Sequence, residues 1–200
     1  MTPVMCVDST GSDWNSFWTG VSNWFRNNWQ QMISGFEIFA GLVCAFIPGL
    51  QGACMVLLNM GISSLIAGYT NQMTGGSFSA GWYGGQISGF FSSFGGFAFG
   101  FVGGSLGNLT TGLIDKYYYK KDIALESIYW GSLFSGIVNG IFTLASPSKG
   151  DFAFKVPIES DWYNLAAFSY SLIFSGLSAF RTFILGLVAG YFPNITKRIF

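Results

Sequence analysis

Between Glu37 and Asp115 the chain runs for 77 residues, positions 38 to 114, without one Asp, Glu, Lys or Arg. A water-soluble domain must turn polar faces to solvent, and its helices ordinarily carry Lys, Glu or Arg there. A neutral stretch of this length, rich in aromatics, would expose apolar patches large enough to aggregate. Lipid, or a covering protein shell, is the environment that suits it. Two shorter neutral runs follow, from Ser127 to Ser148 and from Trp162 to Phe180. Each is close to the roughly 20 residues needed to cross a hydrocarbon core.

Composition narrows the function classes. Only 9% of the 200 residues are charged, against about 25% in ordinary soluble domains. Nine basic residues balance nine acidic ones, so nothing favours nucleic acid as a partner, since phosphate binding needs an excess of Lys and Arg. Histidine is absent, which removes the commonest general base and metal ligand. Cys6, Cys44 and Cys54 fit neither a zinc motif nor a disulfide framework. There is no Walker loop, no G-x-S-x-G elbow and no H-E-x-x-H. Asp151, Glu159 and Asp161 read as a solvated loop rather than an acid–base pair. An enzyme is not expected, and neither catalytic residues, a metal nor a cofactor is assigned.

Residues 1–12 read as a turn-rich lead-in; Met1 to Gly11 lacks the basic start and small-residue cleavage site of a secretory signal. Over 13–31, Trp14, Phe17, Trp18, Val21, Phe25 and Trp29 recur at helical spacing opposite Asn15, Ser22, Asn23, Arg26 and Asn27. Trp14, Trp18, Trp24 and Trp29 suggest an amphipathic interfacial helix, because indole favours the headgroup layer. Residues 32–114 are expected to form uncharged, glycine-rich membrane helices, broken at Pro48-Gly49, at Thr70–Gly76 and at Gly95-Gly96. Residues 115–126 form a charged loop in which Tyr117, Tyr118 and Tyr119 accompany Lys120 and Lys121, as at a bilayer surface. A further membrane helix is expected over 127–147, a polar loop over 148–161, and an apolar C-terminal segment over 162–200 with a basic end. Glu37 lies about a turn into the first apolar segment, within reach of the interface. Arg181 interrupts the last segment; an interface anchor is the simpler reading, and a wet lumen the other. The basic residues fall on several loops without a bias that sets orientation.

Strands would alternate at period two and be shorter, so helices are favoured despite the glycines. Glycine costs up to about 1 kcal/mol relative to Ala inside a helix in water, and its spacing explains its presence. Gly41, Ala45 and Gly49 form one row at intervals of four, Gly81, Gly85 and Gly89 a second, and Gly96, Gly100 and Gly104 a third. Gly103/Gly107, Gly136/Gly140 and Gly186/Gly190 add pairs. Such spacing puts small residues on one helix face, where a neighbouring backbone can approach closely. Bends are the competing reading of the glycines, with most weight at Gly75-Gly76 and Gly84-Gly85.

The opening Thr2 to Gly11 (TPVMCVDSTG) resembles the closing phrase of an RHS-repeat core, in which Asn-Pro-Val precedes Asp-Pro-Ser/Thr-Gly; Pro3, Val4, Asp8, Thr10 and Gly11 match, while Thr2 and Ser9 depart. The Trp-rich Phe17 to Trp29, the phrase Gly75 to Gly89 and the charged turn Leu113 to Ile123 are similar to the segment after that core in polymorphic toxins of Gram-positive bacteria. The resemblance spans roughly residues 2–145. It implies a membrane-active pre-toxin region, bacterial and delivered to a target membrane, that an RHS-type shell would house. The expectation is therefore an all-α, membrane-embedded or membrane-inserting bundle of about five to seven apolar segments. Its expected partners are a lipid bilayer, further copies of itself, and an RHS-type shell or other protein. The expected function is non-enzymatic, as a translocation or pore-forming tail. A passive integral membrane or scaffold protein is the alternative, and a soluble module covered by a partner chain is a third reading.

Overall fold

The computed structural model describes residues 12–44, 47, 50–145, 180, 183 and 184. Over these residues the chain is helical and has no strands. Five α-helices follow one another: α1 Ser12–Cys44, α2 Gln51–Met73, α3 Phe78–Ser92, α4 Gly96–Leu113 and α5 Leu125–Ala145. A single wider π turn, Ile114–Tyr118, prolongs α4.

Five helices are found among the described residues; the lead-in before Ser12, the polar loop expected over 148–161 and the apolar segment expected over 162–200 lie outside them, apart from 180, 183 and 184. The Trp-rich segment and the apolar segment after it, divided in the sequence reading between 31 and 32, are one helix of 33 residues. No Pro or paired glycine interrupts Gln30-Gln31-Met32-Ile33, so the change from amphipathic to apolar character is a change of face, not of backbone. α2 likewise continues through most of the expected Thr70–Gly76 break and ends at Met73. Gly75, at φ 92°, then turns the chain. Ser77 caps α3, its Oγ accepting from the Ala80 N–H at 3.2 Å. The bend between α3 and α4 falls on Gly95 and Gly96, at φ 74° and 77°, a left-handed backbone that side chains rarely tolerate.

Each helix packs on the next in sequence: α1 on α2, α2 on α3, α3 on α4, and α4 on α5. The contacts run antiparallel, as short connections require. On α3, Gly81, Gly85 and Gly89 face Ala67, Ser63 and Asn59 of α2 in turn. α4 carries two small-residue rows. Gly100 and Gly104 face α5, while Gly103 and Gly107 face α3. At about 100° per residue the rows lie only about 60° apart. α3 and α5 therefore sit on the same side of α4, close enough for Asn139 Nδ2 of α5 to donate to Ser92 Oγ of α3 at 2.9 Å.

The closeness is set by missing side chains. A Cβ on Gly85 would lie 2.5 Å from the Ser63 carbonyl oxygen, on Gly89 2.6 Å from that of Asn59, on Gly104 2.5 Å from that of Ser135, and on Gly107 2.6 Å from that of Gly84. These neighbours are backbone and cannot swing aside. Gly35, by contrast, meets nothing within 4 Å.

The polarity of the array is inverted. Among the described residues six apolar side chains are buried: Cys54, Met55, Leu58, Ala80, Trp82 and Ile128. Fifteen polar or charged ones are buried, among them Ser34, Asn59, Ser63, Ser64, Ser92, Ser93, Asp115, Asn139 and Thr143. Large apolar side chains such as Phe36, Phe39, Phe99, Trp130, Ile141 and Leu144 stand on the outside. Two helices, Gly52–Met73 and Gly96–Tyr118, are long and apolar enough to cross a membrane.

The packing predicts opposite outcomes for two glycine-to-alanine changes. Gly104→Ala forces α4 away from the Ser135 carbonyl and should destabilise the fold by about 1–3 kcal/mol. Gly35→Ala, in open space within α1, should be neutral or stabilise by up to about 1 kcal/mol. Thermal unfolding in detergent, followed by circular dichroism, separates them.

Candidate functional site, the polar interior of the helix array

Three groups of buried polar side chains join the helices. In the first, α1, α2 and α3 meet. Trp82 Nε1 donates to Ser34 Oγ at 2.8 Å, and Ser34 Oγ and Ser64 Oγ are 2.6 Å apart. Ser64 Oγ donates to the Gly61 carbonyl at 3.0 Å, so the proton between the two hydroxyls belongs to Ser34. Gln86 Nε2 uses both hydrogens, one on Ser64 Oγ at 3.2 Å and one on Glu37 Oε2 at 2.7 Å. Ser79 Oγ donates to Gln30 Oε1 at 2.9 Å and extends the seam toward the start of α3. Every donor in the chain from Trp82 to Glu37 is satisfied, that of Ser64 within its own helix and the others by a neighbouring helix, as buried polar groups require.

Glu37 lies beside this seam. It is half-buried and held by Gln86, near the middle of α3, with its Cβ beside Gly61 near the middle of α2. The adjoining helices α2 and α3 supply no charge, because they lie in the neutral stretch. Gly61 allows this approach, since a Cβ there would lie 3.1 Å from that of Glu37.

The second group closes one end of the array. Asp115, 2% exposed, accepts from Asn71 Nδ2 at 2.7 Å and from the Ser77 N–H at 2.9 Å. Asn71 Nδ2 also donates to the Ser77 carbonyl at 2.8 Å. One carboxylate on the π turn after α4 therefore fastens the α2–α3 turn, next to the N-terminus of α3, where a negative charge is favoured. Its burial removes it from the charged loop expected over 115–126.

The third group surrounds Ser92-Ser93 at the end of α3. Asn59 Nδ2 of α2 donates to Ser93 Oγ at 3.1 Å, and Asn139 Nδ2 of α5 donates to Ser92 Oγ at 2.9 Å and to the Gly100 carbonyl at 2.6 Å. Thr143 Oγ1 reaches the Gly96 carbonyl at 3.0 Å. Two asparagines thus clasp adjacent serines from opposite sides. Neither was singled out by the sequence reading. The signal present was an Asn or Ser four residues from a small-residue row, which is weak alone.

The glycines named from spacing fall as follows. Gly41 lies against Leu58 of α2; Gly81, Gly85 and Gly89 against α2; Gly100 and Gly104 against α5; Gly136 and Gly140 against α4. Gly96 meets α5 through its carbonyl and not through a small-residue face. It has a left-handed φ, and nothing would meet its Cβ within 4 Å. The i, i+4 row was extended one position into the bend. Gly84, for which a bend was the competing reading, is inside α3 and faces Thr111 and Gly107 of α4. Ala45, Gly49, Gly186, Gly190 and Arg181 lie outside the residues whose surroundings are described.

The aromatic and basic positions gather elsewhere. Trp14, Trp18 and Trp24 are more than half exposed and Trp29 is 41% exposed. Trp29 touches Trp82, with ring centroids 5.4 Å apart. Because Gln30 pairs with Ser79 near the start of α3, the part of α1 before Trp29 overhangs the array by about 25 Å. Tyr117, Tyr118 and Tyr119 are exposed. Lys121 Nζ donates to the Gly75 carbonyl and Lys116 Nζ to the Ile123 carbonyl. Lys120, exposed, takes the left-handed φ of 56° that ends the π turn.

The arrangement binds helices to one another. Among the described residues no group of three His, Cys, Asp or Glu side chains could hold a metal ion. Comparison with protein-family models, with curated proteins and with solved structures finds no match.

The clasp yields a prediction. Asn139→Ala should cost about 1–3 kcal/mol, since it removes two donated hydrogen bonds from a fully buried site. A double-mutant cycle with Ser92→Ala should return a coupling of about 0.5–2 kcal/mol. Independent, additive effects in thermal unfolding would contradict the shared bond.

Proposed function

We propose that this chain is a membrane-inserted helical protein, non-enzymatic, that acts as the translocation or pore-forming tail of a polymorphic toxin. The observation that carries the membrane reading is the inverted polarity. In water, burying fifteen polar groups while leaving Phe, Trp and Ile outside forgoes the main driving force of folding. In lipid the same distribution is favourable. Apolar side chains dissolve in hydrocarbon, and small residues with Ser, Thr and Asn bonds hold the helices together. Two spans of sufficient length and apolarity support it, and so does the Tyr–Lys cluster, which matches an interfacial belt. The toxin part of the reading rests on the likeness of residues 2–145 to a pre-toxin region, with an RHS-type shell as its carrier.

A second reading has an observation of its own. The interior polar groups bond to one another across helices, from Trp82 through Ser34 and Ser64 to Gln86. Among the described residues the helices are thus closed on one another, which favours a passive integral or scaffold protein unless copies assemble.

The full chain, diluted from detergent onto dye-loaded liposomes, should float with the vesicles and release dye. Flotation without release selects the passive reading. A monomer that stays soluble without detergent and leaves the vesicles intact overturns the membrane reading.

A further inference from the structure

Cys44 and Cys54 stand ten residues apart in sequence, a spacing that carries no disulfide signature. The α1–α2 hairpin changes their relation. Gly61 of α2 lies against the Ser34 carbonyl and the Glu37 and Ile38 side chains of α1, and Gly41 of α1 lies against Leu58 and the Cys54 carbonyl. Moving forward along α1 thus means moving backward along α2. Cys44 comes three residues after Gly41, about one helical turn, and Cys54 comes four before Leu58 on the same face. This register sets the two cysteines opposite one another, with their thiols close enough to interact. Both are free.

The backbones are close here, as a bridge requires. A Cβ on Gly41 would stand 3.0 Å from the Leu58 amide nitrogen and 3.1 Å from the Cys54 carbonyl oxygen. Helices packed through larger side chains keep their axes about 8–10 Å apart, whereas a disulfide needs its α-carbons within about 7 Å. The contact at Gly41 removes that obstacle. The two thiols are also unequal. Cys44, the last residue of α1, is partly exposed, while Cys54 is 0% exposed and its Sγ donates to the Leu50 carbonyl at 3.1 Å. An oxidant arriving from outside meets Cys44 first, and Cys54 is placed to resolve the product.

We infer that Cys44 and Cys54 form a dithiol–disulfide pair that fastens α1 to α2 when oxidised. This goes beyond the function proposed above and does not depend on it. The oxidant is a small disulfide such as oxidised glutathione. The Cys44 thiolate attacks one of its sulfurs, forming a mixed disulfide and expelling one glutathione thiolate. Cys54 gives up its proton and attacks the Cys44 sulfur; the protein disulfide forms and the second glutathione thiolate leaves. The two departing thiolates take up the two protons that the cysteines lost. Two protein thiols are thereby oxidised by two electrons, and one small disulfide is reduced to two thiols. The closed ring spans the α1–α2 connection, so α1 cannot part from α2 at this end until the bridge is reduced.

The test uses the full chain carrying Cys6→Ser, reduced in detergent and then incubated with excess oxidised glutathione. The intact mass should fall by about 2 Da with no lasting glutathione adduct, and proteolytic fragments should show Cys44 joined to Cys54 within one chain. The unfolding midpoint should rise by about 5 °C and fall back when dithiothreitol is added. With Cys54→Ser added, Cys44 should keep a glutathione adduct and the midpoint should not rise. A Cys6→Ser chain that keeps the adduct on Cys44, cross-links to a second chain or leaves both thiols free overturns the pair. A bridge that forms without moving the midpoint overturns the fastening.

Discussion

Backbone-to-backbone contact between helices is the constraint from which the remaining structure follows. At Gly85, Gly89, Gly104 and Gly107 the nearest atoms to a missing Cβ are carbonyl oxygens or α-carbons of the adjoining helix. Helices this close have little room between them for Leu or Phe, so the interior is filled by Ser, Thr and Asn, and the large apolar side chains are displaced outward. The inverted polarity is thus the geometric result of the glycine rows. It also explains why hydrogen bonds, rather than apolar burial, choose the register. Asn59 and Asn139 reach Ser93 and Ser92 only when the helices slide to one position.

The order of the helices converts that local rule into an architecture. α3 uses Gly81, Gly85 and Gly89 toward α2 and Gly84 toward α4, and α4 uses its two rows toward α3 and α5. A helix with two small faces can have two close neighbours, and one with a single small face has one. α1, with a short row near Gly41, is held by α2 and by the polar seam through Ser34 and Glu37 to α3. Its remaining length is free of the array.

Much of the helical content was legible because period and neutrality are properties of short windows. The missing charges of positions 38 to 114 and the i, i+4 glycines needed only the sequence. What could not be read depended on partners far along the chain. Gly103 and Gly107 are indistinguishable in spacing from Gly100 and Gly104, and only the placing of α3 and α5 separates their roles. Gly96 continued a row by arithmetic, yet its backbone is left-handed. The bond that Glu37 accepts was equally out of reach, because Gln86, its partner, is 49 positions away.

The continuity of α1 has a consequence for its tryptophans. An unbroken helix has a single axis, at most gently curved, so if Ser34 and Gly41 stand alongside α2, Trp14 and Trp18 stand on the same line. From Trp14 to Trp29 that line rises about 22 Å, more than the depth of one headgroup layer. The four indoles are then rungs at different heights rather than a raft at one depth. Only the lowest, Trp29, already against Trp82, shares the level of the array, and the upper ones stand progressively further from it, like a mast.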